Sequence, residues 1–223
     1  MKNRLLLQLP PRDREALLRE SEYLTLPVGD VCARAGDPIS TMYFPDAGVI
    51  SLVSQMTTGH QVAVAAVGAE GMIGVSALLG ISHYPQSLVV LLESRGHRIP
   101  ADRFQSAFEQ SGLLRRVALT HIGRRMRELR TAAACNRVHS HRQRLARWLL
   151  MITDKARQPS LPVTHEALAQ LVGGPRHAVT VALNELRAQG AIAHLRGRVD
   201  VLQRSALIAQ ACECYAAAAP ARV

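Results

Sequence analysis

Between Leu113 and Val138 the chain runs without a proline and with one glycine, Gly123. That is room for about 39 Å of unbroken helix at 1.5 Å per residue. The segments on either side of it differ in texture and are read as separate folding regions. From Tyr23 to about Pro100 the sequence is rich in Val, Ile, Leu and Thr. Turn signals punctuate it at short intervals: "PVGD" at 27–30, "AGDP" at 35–38, "PDAG" at 45–48, "TTGH" at 57–60, "VGAEG" at 67–71 and "SRGH" at 94–97. Short strands with turns every ten or so residues predict an antiparallel roll or barrel. A short helix, "PPRDREALLRE", precedes it, and "ADRFQSAFEQ" follows as the period turns helical at Ala101.

Along the long helix Leu114, Ala118, Ile122, Met126, Leu129 and Ala133 recur at spacings of four, four, four, three and four. This single apolar stripe, flanked by arginines, predicts pairing with a second copy of the helix in a two-stranded coiled coil. Ser140 with Gln143 then makes a capping box for the next helix, "HRQRLARWLLMITDKA", whose core face is Leu145, Trp148, Leu149 and Ile152. "RQPSLP" follows as a loop.

Charge is distributed unevenly. Residues 1–111 carry 9 Lys/Arg against 11 Asp/Glu, whereas residues 112–198 carry 16 against 4. A basic excess confined to the second half points to a polyanionic partner, because neutralising phosphates releases condensed counterions. No run of eighteen apolar residues occurs, and the start "MKNRLLLQLPPRDRE" is too short in its apolar part and too quickly charged for a secretory signal. A soluble, cytoplasmic chain without a membrane partner is expected. The four cysteines, Cys32, Cys135, Cys212 and Cys214, form neither a disulfide framework nor a paired C-x-x-C site. They are read as reduced thiols, and no metal is expected.

The stretch "VTHEALAQLVGGPRHAVTVALNELRAQG" supplies the basic region with a motif. Thr164 is a good N-cap, Gly173 ends the first helix and Pro175 opens the second, where its missing N–H costs nothing. Leu168, Ala169 and Val172 face inward from the first helix, and Val179, Ala182, Leu183 and Leu186 from the second. Arg176, His177, Thr180, Val181 and Asn184 are left outward, donors, acceptors and one compact apolar group suited to major-groove base edges. "AIAHLRGRVDVL" then reads as strand, Arg196-Gly197 turn, strand, a wing with arginines at its tip.

In this order of parts the chain resembles the cyclic-AMP receptor protein/FNR family of bacterial transcription regulators, over about Leu5 to Tyr215. The stretches that carry the likeness are "VTHEALAQLVGGPRHAVTVALNELRAQGAIAHLRGRVDVL", "YFPDAGVISL" and "VGAEGMIGV". The resemblance implies a homodimer that presents two recognition helices to a palindromic operator, an effector in the roll that resets them, and RNA polymerase as a further partner. By position Arg176, His177 and Val181, with Thr180 beside them, match base readers, and Arg176 suits a bidentate contact to guanine. Thr164, His165 and Asn184 match phosphate contacts, and Arg196 at the wing tip joins them.

The same resemblance places an effector pocket at Gly71, Met72, Gly74, Tyr84, Leu129 and Arg130. Cyclic-nucleotide binders of the family hold the ribose with a Gly-Glu pair and the phosphate with an Arg-Ser or Arg-Thr pair. Met72 stands where the glutamate belongs and Tyr84-Pro85 where the arginine pair belongs, and no Arg or Lys occurs from Val75 to Ser94. A cyclic phosphate there would be an unpaired buried charge, which costs several kcal/mol. The effector is therefore unidentified, and no cofactor is expected. An iron–sulfur centre would need clustered thiols, and Cys32 stands alone near the start. His60, His83, His97 and His121 are read as surface or hydrogen-bonded residues, not haem ligands. Cys135 and the Cys212/Cys214 pair leave a thiol redox switch open.

No G-x-S-x-G, Walker loop or H-E-x-x-H motif occurs, so no enzyme is expected. The fold class expected is α+β. An antiparallel β-roll of the cyclic-nucleotide-binding, cupin-like type spans residues 1–111, a dimerisation helix 112–138, and a winged helix-turn-helix 139–223. The competing reading is a ligand-sensing dimer whose basic half meets RNA, protein or DNA without reading sequence.

Overall fold

The computed structural model describes residues 1–218. Two compact units are present, one made of residues 1–54 and 66–125, the other of residues 55–65 and 126–218. The long helix α3 (Gly112–Val138) runs from the first into the second.

The first unit is a roll. Helix α1 (Pro11–Arg19) leads into β1 (Glu22–Leu26), β2 (Val31–Ala33), β3 (Thr41–Gln55), β4 (Gln61–Val67) and β5 (Ser87–Pro100), followed by α2 (Ala101–Gln110). The strand order is β1-β5-β3-β4, with β2 pairing the first part of β5 and β1 its last part. All the pairings described for this sheet are antiparallel. Two of the expected turns are not turns. "PDAG" and "SRGH" lie inside β3 and β5, where the pairing shifts register between Pro45 and Ala47 and again up to Ile50. The glycines serve close approach instead: a Cβ on Gly48 would collide with the backbone oxygen of Glu93, and one on Gly96 with that of Phe44. Bulging bends the two long strands without ending them.

Met42, Phe44 and Ile99 from the sheet, Phe104 from α2 and Leu5, Leu6 and Leu9 from the start of the chain form one buried cluster with Leu114 and Ala118 of α3. Asp46 ties the start of the chain down, its Oδ1 accepting the backbone N–H of Lys2 and of Asn3 at 2.8 Å each.

That cluster corrects the expected dimer stripe. Leu114, Ala118 and Ile122 are buried in the chain itself, while Met126 is 49% and Leu129 44% exposed and Ala133 is exposed as well. The reason lies in helix geometry: each four-residue step advances by about 40° beyond a full turn, so Leu114 and Met126 differ by about 120° around the axis. The first half of the stripe faces the roll's own core. The second half of the stripe, and Leu119 about two turns earlier on the same side as Met126 at 47% exposure, are open to a partner.

In the second unit α4 (His141–Ala156) is central. Its capping box forms as expected, with Ser140 Oγ accepting the Gln143 N–H and the Gln143 side chain accepting the Ser140 N–H. Leu145, Trp148, Leu149 and Ile152 are buried, each gaining about 1.5–3 kcal/mol by leaving water. Around α4 pack α5 (His165–Val172), α6 (Arg176–Ala188) and α7 (Arg204–Gln210), followed by α8 (Cys214–Ala218). A three-stranded sheet of β6 (Ser160–Leu161), β8 (Arg198–Val201) and β7 (Ile192–Leu195) completes the unit. No helix among the described residues is long and apolar enough to cross a membrane.

Candidate nucleic-acid interface

The corner between α5 and α6 is built from local signals. Thr164 Oγ1 accepts the Ala167 N–H at 3.1 Å and starts α5. Gly173 closes that helix in the left-handed region at φ 66°, and its N–H donates to Ala169 O. Gly174 fills a different need, since a Cβ there would stand 2.5 Å from the His141 ring. Pro175, extended at ψ 150°, aims the chain into α6. Val179, Ala182, Leu183 and Leu186 then turn inward and are buried.

The outward face of α6 carries Arg176, His177, Val181 and Asn184, all exposed, with Thr180 half-buried among them. Arg176 is the first residue of the helix, and its backbone oxygen accepts the Thr180 hydroxyl at 3.1 Å. Val181 is 55% exposed, an apolar contact held free of the core. His165 Nδ1 lies 3.4 Å from Thr180 Oγ1, and its ring stands 5.9 Å from that of His194. His194 Nε2 in turn lies 3.2 Å from Asn184 Oδ1. Thr180, His165, His194 and Asn184 thus form one polar row joining α5, α6 and β7.

His194 was not singled out in the sequence. Its signal was the alternation in "AIAHL", which sets Ile192 and His194 on one face of β7. Burial lowers the His194 pKa below 6.5, with Arg187 and His165 adding to the effect. Burial likewise lowers that of His141, reinforced by Arg144 and His177. Both rings are neutral at pH 7, able to accept as well as donate. At the wing, Gly197 turns at φ 76° and leaves Arg196 exposed at the tip. Arg198 is engaged instead with Asp200, its Nε donating to Oδ2 at 2.9 Å.

The expected effector residues divide. Met72, Gly74 and Tyr84 line a cavity of about 50 Å³ in the roll, together with Val67, Leu88 and Arg125. Gly71 is not on its wall; a Cβ there would meet the His121 ring at 2.7 Å. Leu129 and Arg130 belong to the second unit, where both are exposed on α3. Met72 is 1% exposed, a thioether where a ribose-binding carboxylate would be needed. Arg125 is a cation on the wall that the sequence did not reveal, and its Nη1 donates to Ala66 O at 3.0 Å.

Residues 23–111 match the cyclic nucleotide-binding domain family, and residues 143–210 the Crp-like helix-turn-helix domain family. Comparison with curated proteins gives no match. Among solved structures the chain is similar to a CRP-family transcriptional regulator from Thermus thermophilus, with a TM-score of 0.72 and 21% identity over 84% of this chain and 96% of that one. FixK2 from Bradyrhizobium japonicum gives 0.74 at 12% identity over 86% and 98%. CLP, the c-di-GMP-responsive global regulator of Xanthomonas campestris, gives 0.71 at 19% over 87% and 100%. At these identities the likeness to the solved structures is one of fold.

Proposed function

We propose, from the premise that this chain belongs to the Crp/Fnr family of transcriptional regulators, that it is a homodimer that reads a palindromic operator in double-stranded DNA through α6. The observation that carries the reading is the division of that helix. Val179, Ala182, Leu183 and Leu186 are taken up by the core, while Arg176, His177 and Val181 stand exposed in its first two turns. Arg176 offers a planar fork to guanine O6 and N7, Val181 a small apolar surface to a thymine methyl, and His177 a ring that accepts or donates. Thr164, His165 and Arg196 hold the phosphates that fix the register. Asn184, already engaged with His194, does so through its remaining amide hydrogens.

The exposed face of α3, with Leu119, Met126 and Leu129, is the seam for the second copy. The roll takes an effector that is not a cyclic nucleotide: Met72 supplies no carboxylate, and the cavity of about 50 Å³, far below the roughly 300 Å³ at which ligand pockets begin, has to widen to admit any effector. A reader of chromosomal DNA works in the cytoplasm, by binding and not by catalysis, and meets RNA polymerase at the promoter.

The test is selection of random DNA fragments on the purified full chain at near-physiological salt, in parallel with Arg176→Ala. Enrichment of a palindrome with half-sites one helical turn apart, lost in the variant, is the expected result. Equal retention of all sequences by both proteins, with only a salt-dependent affinity, would instead mark the basic half as a non-specific contact surface.

A further inference from the structure

Three of the four cysteines lie far apart in sequence and together in space. Cys135 sits in the last turn of α3, and the His139 N–H donates to Cys135 O at 3.1 Å, so the helical path continues and sets both side chains on one face. Cys212 lies between α7 and α8 and Cys214 opens α8, with the Tyr215 N–H donating back to Cys212 O at 3.0 Å. Cys135, Cys212 and Cys214 are all buried, and the His139 side chain is only 11% exposed. The four ligand atoms, three Sγ and one imidazole nitrogen, lie within 4.8 Å of one another.

We propose that Cys135, His139, Cys212 and Cys214 form a mononuclear zinc(II) site that fastens the end of the chain to the end of α3. Zinc–sulfur bonds of 2.3 Å and a zinc–nitrogen bond near 2.05 Å in a tetrahedron require S···S edges of about 3.8 Å and S···N edges of about 3.6 Å. The Cys135 and Cys212 sulfurs stand 3.5 Å apart, and Cys214 Sγ lies 3.8 Å from His139 Nδ1. A disulfide would need its sulfurs about 2.05 Å apart. An iron–sulfur cluster would need them spread wider, with irons and sulfides between them. A Cys₃His set in a tetrahedron selects zinc among the common divalent ions.

Two further observations fit the ion. His139 Nε2 lies 3.2 Å from Glu213 Oε1, so the ring N–H at Nε2 donates to the carboxylate and leaves Nδ1, the nitrogen facing Cys214, as a bare ligand. This carboxylate–histidine pairing is a common support of zinc ligands. Beneath the thiols are two buried guanidinium groups, Arg144 and Arg147, both close enough to act on Cys135. Arg144 Nε and Arg147 Nε and Nη2 have no hydrogen-bond partner among the described residues. Zinc(II) displaces one proton from each of three thiols, and the resulting centre carries a net charge of −1. Arg144 and Arg147, whose Nη1 groups donate to Asn136 O and Met151 Sδ, face no anion in the salt bridges of the described residues, and the zinc centre supplies one.

Nothing in a scan for C-x-x-C reveals the site. Its signals are the C-x₃-H spacing at the end of a helix and the C-x-C that follows 77 residues later.

The test begins with elemental analysis of the full chain, purified under reducing conditions from zinc-containing medium. About one zinc per chain is expected, lost in the Cys212→Ser/Cys214→Ser double variant and kept in Cys32→Ser, which alters the exposed thiol. Cobalt(II) added to the chelator-stripped protein is expected to give sulfur-to-cobalt charge-transfer and tetrahedral d–d bands that saturate at one equivalent. Should the double variant fail to fold, Glu213→Gln alters an 80% exposed side chain and is expected to weaken zinc affinity 10- to 100-fold against a competing chelator. A zinc-free protein whose reduced thiols bind no cobalt would overturn the proposal. So would a Cys135–Cys212 disulfide whose reduction restores no metal binding, or iron–sulfur absorbance in anaerobically isolated protein.

Discussion

Thr164→Ala separates two uses of one hydroxyl. Thr164 Oγ1 accepts the Ala167 N–H at 3.1 Å at the start of α5, which leaves its own hydrogen free to donate to a DNA phosphate. Loss of the cap costs about 1 kcal/mol of folding stability, a fall in Tm of roughly 2–4 °C for a chain of this size. Loss of the phosphate contact costs about 1 kcal/mol per half-site, and the two half-sites of a dimer together give about 2 kcal/mol, or roughly 30-fold in Kd. Because phosphate oxygens carry no sequence information, operator and scrambled duplex should weaken by the same factor. Because threonine is neutral and displaces no counterion, the slope of log K against log salt should not change. Differential scanning calorimetry reads the first effect, and fluorescence anisotropy over a salt series reads the others. Thr164→Ser should restore both. A fall in Tm with unchanged Kd would refute the phosphate role, and loss confined to the operator would refute the assignment of Thr164 to the backbone.

Folding stability should fall as pH drops through 6.5. His141 and His194 have pKa values lowered by burial, so below 6.5 the unfolded chain binds more protons than the folded one, and the difference favours unfolding. Urea titrations between pH 7.5 and 5.5 should show this slope in the wild type and a shallower one in His141→Gln/His194→Gln; identical slopes would contradict it. On α3, Met126→Glu should shift sedimentation from dimer to monomer with little change in secondary structure, whereas Leu114→Ala should cost about 2–5 kcal/mol of stability as a core truncation. A dimer untouched by Met126→Glu would place the seam elsewhere. Calorimetric titration with cyclic AMP or cyclic GMP should give no binding heat; saturable binding at micromolar concentration would overturn the reading of Met72 and of the small cavity.

The helix-turn-helix domain was legible in the sequence because its signals are local. Ser140 and Gln143, Thr164 and Ala167, Gly173 and Pro175 act within three or four residues of one another, and each takes the part its type and spacing imply. The roll was legible as a class but not in its strand lengths. The glycines at 48 and 96 read as turns, yet what requires them is the backbone of a strand distant in sequence. The long helix was plain, but the direction of its stripe was not, since a drift of about 40° per four-residue step decides which side chains the roll takes. Arg125 at the cavity, His194 beside Asn184 and the Cys212 and Cys214 thiols beside Cys135 and His139 are set by how the chain folds back on itself. The first and last join residues far apart in the chain, and His194 meets Asn184 only because β7 folds back on α6.

The central claim, that Arg176 reads a guanine in each half-site, is tested most directly by a thermodynamic cycle. Wild type and Arg176→Ala are each titrated against the selected operator and against the same operator with 7-deazaguanine at the matched position, which removes the N7 acceptor. If Arg176 makes that contact, the modified base weakens the wild type and leaves the variant unaffected, with a coupling of about 1–3 kcal/mol per half-site. If the two losses simply add, Arg176 does not touch that base, and the assignment of α6 as the reading helix through Arg176 is wrong.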